Sequence, residues 1–238
     1  MTRRDLNNIP VPEKTRTYVP ISTSLIFDTI DTLAQEKGFD IRQEIFDIKM
    51  KGQQQKMRFV FDTNSDKFGF EIALINSYNK TISLRSGSGS TAYICWNLQT
   101  MAPFSIQEKH VSNVREDLYE FLKCSFDIKE MQIENAQLLW DNFDYVNLSQ
   151  REINELAGSL FFEQKLINSE QAMILRKELD KPSFEYDYNP ESLNALYQHT
   201  TFCIQNEHPT SYLQTQQGVQ SFFVDTYEQM TGNKLELV

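Results

Sequence analysis

Three short runs decide the fold: Phe46-Asp-Ile-Lys-Met50, Met57-Arg-Phe-Val-Phe61 and Phe68-Gly-Phe-Glu-Ile-Ala-Leu74. In the first, Phe46, Ile48 and Met50 alternate with Asp47 and Lys49; in the second, Met57, Phe59 and Phe61 flank Arg58; in the third, Phe68, Phe70, Ile72 and Leu74 alternate with Gly69 and Glu71. A period of two sends these apolar side chains to one face of an extended chain, so each run reads as a half-buried strand. Turn-forming residues at Gly52–Gln55, Asn64–Asp66 and Asn76–Lys80 separate them, and connections this short favour antiparallel pairing. Two further candidates, Thr81–Arg85 and Thr91–Trp96, flank Ser86-Gly-Ser-Gly-Ser90, which reads as a hairpin loop. The sum is a meander of about five strands.

On the N-terminal side, residues 1–20 contain Pro10, Pro12 and Pro20 and lack apolar periodicity, so an extended arm is expected there. From Ser22 to Gln35 the residues Leu25, Ile26, Ile30, Leu33 and Ala34 recur at helical spacing, with Gly38 where a left-handed cap belongs. After Pro103 the period returns to that of helices. Val111, Val114, Leu118, Phe121 and Leu122 line one face of a helix over about 111–123. Ser149 and Glu152 have capping-box spacing, and Leu148 and Ile153 staple spacing. Further helices are expected at Asn168–Leu179, from Asn189-Pro190-Glu191 onward, and at Gly218–Met230. The fold class is therefore α+β: an arm over 1–20, a meander domain over 21–130, and an acidic helical region over 131–238 packed on or beside it.

The 238-residue chain has a net charge of -10, distributed unevenly. Residues 1–60 hold ten Lys/Arg against eight Asp/Glu, residues 61–130 seven against nine, and residues 131–238 six against sixteen. The acidic last part repels phosphate, so any nucleic-acid contact is expected in the first half, although well-solvated helices explain the acidity equally. No apolar run approaches bilayer length, which argues against a membrane partner, and Met1-Thr-Arg-Arg-Asp lacks the apolar stretch of a signal peptide. The cysteines Cys95, Cys124 and Cys203 are odd in number and widely spaced, as free thiols in a reducing, cytoplasmic compartment would be.

Positive signs of catalysis are few. The Ser/Gly run has the composition of a phosphate loop, but a strand rather than a helix follows it. Cys95 and His110 would supply a thiol and a base, yet Cys95 sits among Tyr93, Ile94 and Trp96, a setting for a buried thiol. His199, Cys203 and His208 lack a fourth ligand and the paired spacing of zinc sites. Carboxylate pairs such as Asp127 with Glu130 and Asp141 with Asp144 follow from composition. No catalytic residue, metal or cofactor is assigned, and a non-enzymatic role is favoured. For binding, the polar face of the meander stands out: Lys49, Lys51, Lys56 and Arg58, with Arg85 and the rings of Tyr78 and Tyr93, form a basic, aromatic surface of the kind that holds single-stranded nucleic acid. A solvated face of mixed charge, diluted by Asp47 and Glu71, accounts for the same residues.

The stretch Phe70–Asn79 ending in Asn76-Ser77-Tyr78-Asn79, then Arg85, then Tyr93-Ile-Cys95-Trp-Asn97, resembles the phage/plasmid-like protein family, a domain of unknown function. His110 with Asn113 is similar to a later His-x-x-Asn element, and Ser192-Leu-Asn-Ala-Leu-Tyr197 to a helix opening near the family's C-terminus. Tyr78 stands where a His is common among relatives, which counts against a catalytic His there. The resemblance implies a phage or plasmid setting and no established activity. A looser likeness in topology joins the meander to phage single-strand annealing proteins. Physically, Asn76, Asn79 and Asn97 suit turn-fixing roles, because amides satisfy turn groups and tolerate left-handed backbone. The expectation is a phage- or plasmid-type accessory protein of DNA metabolism that binds or anneals single strands, with a homo-oligomer as its candidate assembly. The alternative is a module whose acidic surface engages a host or phage protein and inhibits a defence or nucleic-acid enzyme.

Overall fold

The computed structural model describes residues 1–98, 106–108, 114–185 and 188–237. The fold is α+β, as expected. Strands β1 (Ile41–Lys49), β2 (Gln54–Phe61), β3 (Phe68–Ser77) and β4 (Leu84–Ala92) pair antiparallel in chain order, and the short β5 (Asn97–Leu98) and β6 (Ile106–Glu108) both pair with β4.

One expectation fails inside β4. Ser86-Gly-Ser-Gly-Ser90 is not a hairpin loop but the centre of the strand, with Ser86, Ser88 and Ser90 opposite Leu74, Ile72 and Phe70. Gly and Ser read as loop because they disfavour strands in isolation. The ladder, however, pairs backbone groups whatever the side chain, and the small residues suit a strand buried along nearly its whole length. The chain turns instead at Tyr93–Trp96, where Trp96 adopts φ 55°.

The sheet buries both faces. On one, Met57, Phe59, Phe61, Phe70, Ile72 and Leu74 meet Ile30 and Leu33 of α2 (Thr23–Lys37) and Leu118, Leu122 and Phe126 of α3 (Val114–Asp127). Phe61 lies 5.0 Å from Phe126, edge to face. Each such ring contributes about 1.5–3 kcal/mol by leaving water. Helix α2 starts where Ser22 Oγ accepts the Leu25 N–H at 3.2 Å and stops at Gly38, whose φ of 72° is left-handed. Residues 111–113, Pro103 and His110 lie outside the described residues.

The opposite face was expected to meet solvent and, over β2 and β3, does not. Every residue of β2 and β3 is buried, Lys56, Arg58 and Glu71 included. Tyr212 and Leu213, at the start of α8 (Tyr212–Thr231), pack there against Ala73 and Ile75. Between the sheet and α8 the chain forms α4 (Lys129–Asp144), α5 (Gln150–Gly158) running into a π-helical turn (Ser159–Glu163), α6 (Ser169–Asp180) and α7 (Leu193–Ile204). The Ser149–Glu152 capping box is present, and Leu148 and Ile153 both join the helical core. Two helix starts differ from expectation. Asn189 Oδ1 accepts the Glu191 N–H in a turn, and Ser192 caps α7 instead. Helix α8 begins six residues before Gly218.

The first twenty residues are not a plain extended arm. Helix α1 (Arg3–Asn7) carries a Thr2–Asp5 capping box and buries Leu6 in the sheet core, while Arg3 pairs with Asp31 and Glu44. Among the described residues no helix is long and apolar enough to cross a membrane.

Candidate nucleic-acid interface

Of the basic and aromatic residues singled out in the sequence, the structure separates two groups. Lys56, Arg58 and Tyr78 are buried. Arg58 donates from Nε to Glu71 Oε1 at 2.6 Å, from a terminal nitrogen to Glu71 Oε2 at 2.7 Å, and to the Trp96 carbonyl at 2.7 Å. Burial works against the charged guanidinium, but the bidentate carboxylate outweighs it and holds the Arg58 pKa above its ordinary value. Lys56 donates to the carbonyls of Gln205 (3.0 Å) and Glu207 (3.2 Å) and lies 4.4 Å from the centre of the Tyr212 ring. Burial pushes its pKa down to about 8, against the opposing pull of Asp47. Arg85 is half-buried and donates to the Thr210 carbonyl at 3.3 Å. Lys56 and Arg85 hold the α7–α8 connection to the sheet, Arg58 is engaged by Glu71 and Trp96, and neither Lys56 nor Arg58 is presented to solvent. Tyr78 likewise faces inward, its hydroxyl accepting the Thr23 N–H at 3.2 Å.

The other group gathers at one end of the sheet, where three turns meet. The β1–β2 turn carries Lys49, Met50 and Lys51; the β3–β4 turn carries Asn79 and Lys80; an N-terminal turn, closed by Thr15 N–H to the Tyr18 carbonyl at 2.9 Å, carries Lys14 and Arg16. Contacts tie the three together. Tyr78 N–H donates to the Gln53 carbonyl at 2.8 Å, the Asn79 amide reaches Met50 Sδ at 3.5 Å, Tyr18 Oη donates to the Ser77 carbonyl at 3.0 Å, and Lys80 Nζ sits 4.9 Å over the Tyr18 ring. The tip thus collects Lys14, Arg16, Lys49, Lys51 and Lys80, of which all but half-buried Lys49 are exposed. The nearby acids are Glu13, which is exposed, and Asp47, 3.7 Å from both Lys49 and Lys56.

Backbone strain marks the same place. Met50, Lys51 and Lys80 have φ of 51°, 56° and 65°, the left-handed region that residues other than glycine rarely adopt. Gly52 follows at φ 89°, and a Cβ there would lie 2.7 Å from Ile9 Cδ1. The left-handed φ favours glycine there, and Ile9 packs closely against the bend. Met50, 61% exposed, stands out at its apex between two lysines.

The motif residues divide similarly. Asn79 is the expected turn residue, its Oδ1 accepting the Thr81 N–H at 3.2 Å. Asn76 is no turn residue: fully buried within β3, it donates to the Ile21 carbonyl (3.1 Å) and to Gln55 Oε1 (3.0 Å), tying the start of α2 to the sheet. Ser77 Oγ accepts the Ile82 N–H and donates to the Ile82 carbonyl, bracing the hairpin. Asn97 is also fully buried. With its amide oriented to satisfy both partners, it donates to the Cys95 carbonyl at 3.3 Å and accepts the Phe202 N–H at 3.1 Å, joining the β4–β5 turn to α7. Asn76 and Asn97 do not converge in a cleft. Cys95 is buried among Phe68, Trp140 and Tyr188. His199 Nε2 lies 3.1 Å from Tyr188 Oη, and Cys203 Sγ donates to the Thr200 carbonyl, burial raising its pKa to about 12. Among the described residues no three His, Cys, Asp or Glu side chains gather as a metal-binding group.

The family described as Domain of unknown function (DUF932) matches residues 13–226, well over half of the chain. The chain belongs to DUF932. The matched span takes in all three turns of the tip, the whole described sheet and the helices as far as most of α8, and it leaves α1 outside. No curated protein matches, and no solved structure does. Sequence reasoning found Lys49 and Lys51 but missed Lys14, Arg16 and Lys80, whose proximity depends on the Tyr18 contacts with Ser77 and Lys80. The available signal was the position of Lys14 and Arg16 just ahead of an aromatic residue in the basic first quarter of the chain.

Proposed function

We propose that this DUF932 protein is a phage- or plasmid-type accessory of DNA metabolism, acting in the cytoplasm, that binds single-stranded nucleic acid at the tip of its meander rather than across the sheet face. The observation that carries the reading is the placement of five cations in or beside three turns that contacts of Tyr18, Tyr78 and Asn79 tie together, next to a left-handed bend at Met50–Gly52. Clustered, exposed Lys and Arg neutralise phosphates and release counterions, which favours binding without base specificity. Strained backbone of this kind persists where the surrounding structure holds it and recurs at ligand sites. The charge count agrees with this placement, since the last 108 residues are strongly acidic and the first sixty are not, so a polyanion is better met by the first part of the chain. The test is binding of labelled single-stranded DNA at low and high salt, with Lys14, Lys51 and Lys80 reversed to Glu. Loss of affinity in that variant, with an unchanged thermal melt, is the expected result. Unchanged affinity removes the reading.

A further inference from the structure

We propose that the groove between α5, with its π-helical turn, and α8 is a docking surface for a basic amphipathic helix of a partner protein. The groove encloses about 650 Å³. Half-buried Leu156, Leu166 and Phe222 form the apolar part of its floor beside Thr226, exposed Glu155, Glu163 and Asp225 stand at its rim, and Glu152, which caps α5, also lines it. No Lys or Arg lines it among the described residues.

Local structure explains the shape. Gly218 lets Leu166 reach α8, since a Cβ there would lie 2.5 Å from Leu166 Cδ2. In the π turn, Gln164 N–H donates to the Ser159 carbonyl at 2.9 Å, so one extra residue enters the helix and rotates the side chains that follow. Leu160 is then fully buried while Phe162 is 74% exposed. The rim keeps most of its charge: Ser159 Oγ donates to Glu163 at 2.7 Å, and Glu155 shares its charge with Arg151 in an exposed pair.

Charge complementarity selects the occupant. A floor between two near-neighbour helices takes side chains spaced three and four residues apart, which is the helix-in-groove mode of recognition. The rim carboxylates Glu155, Glu163 and Asp225 favour an occupant with cationic side chains flanking its apolar stripe, and they repel nucleic acid. This surface is independent of the proposed nucleic-acid tip, and neutralising its rim leaves the tip residues untouched.

The test uses fluorescein-labelled Leu/Lys peptides of about 18 residues, or five helical turns. One places Leu at helical period; the other has the same composition with Leu scattered. Titrations of the full chain are read by anisotropy. The amphipathic peptide is expected to bind about tenfold more tightly than the scattered one. The double variant Glu163→Gln/Asp225→Asn is expected to weaken its binding about fivefold and to bind single-stranded DNA as the wild type does. Phe222→Ala, checked for an intact melt, is expected to weaken the peptide without changing its salt dependence. Equal binding of the two peptides, or wild-type affinity in the rim variant, overturns the proposal. Concentration-dependent self-association in sedimentation that the rim variant abolishes also overturns it, since it assigns the groove to a second copy.

Discussion

Replacing Glu71 by Gln is expected to destabilise the protein by about 3–5 kcal/mol, because it leaves the Arg58 guanidinium buried without a counter-charge. The carboxylate is fully buried and takes two hydrogen bonds from Arg58 at 2.6 and 2.7 Å, so no water shares the charge that remains. The Trp96 carbonyl and the Tyr212 ring, its centre 5.9 Å from the guanidinium carbon, cannot neutralise it. For a chain of this size the loss corresponds to a drop in melting temperature on the order of 10 °C. Urea unfolding followed by circular dichroism measures it directly. The double variant Arg58→Met/Glu71→Leu removes both charges and is expected to return to within about 1 kcal/mol of wild type, short only by the donor lost from the Trp96 carbonyl. A Glu71→Gln variant within about 1 kcal/mol of wild type would refute the buried-pair account.

Lys56 gives a pH dependence of unusual sign. Its folded pKa of about 8 lies below the ordinary 10.5, so the unfolded chain holds the proton more tightly. The penalty of burying the ammonium is complete below pH 8 and is relieved as pH rises from 8 toward 10.5. Wild type is expected to gain about 1.5 kcal/mol relative to Lys56→Met between pH 8 and 9.5, read from urea midpoints; a difference constant with pH would contradict this. Gly69→Ala places a Cβ 2.7 Å from Tyr93 Cε1 and 3.0 Å from the Phe61 carbonyl oxygen, and backbone cannot give way cheaply. A loss of about 1–3 kcal/mol is expected, again by urea unfolding, and an unaffected midpoint would show that the strands shift at no cost.

The strand pattern was legible because Phe, Ile, Leu and Met at period two admit one burial solution, and the Ser149 and Asn168 helix starts because capping chemistry is local. The second burial layer was not. Lys56, Arg58 and Glu71 look solvent-facing in sequence; Arg58 and Glu71 are buried as a pair that also engages the Trp96 carbonyl, and Lys56 is buried against Tyr212, Gln205 and Glu207, about 150 residues away. The Ser86–Ser90 strand was hidden for the opposite reason, since its residues carry no hydrophobic signal and are strand only by pairing with β3. The candidate tip was half legible. Lys49 and Lys51 sit in an evident turn, whereas Lys14, Arg16 and Lys80 join them through tertiary contacts of Tyr18.

Salt-dependent binding of single-stranded DNA is the most direct measurement of the central claim. If the five tip cations each neutralise one phosphate, log K falls with log salt at a slope of about -3.5, and the Lys14→Glu/Lys51→Glu/Lys80→Glu variant loses about 2 of that slope with at least about tenfold in low-salt affinity. Absence of binding at low salt, or wild-type slope and affinity in the triple variant, would contradict it.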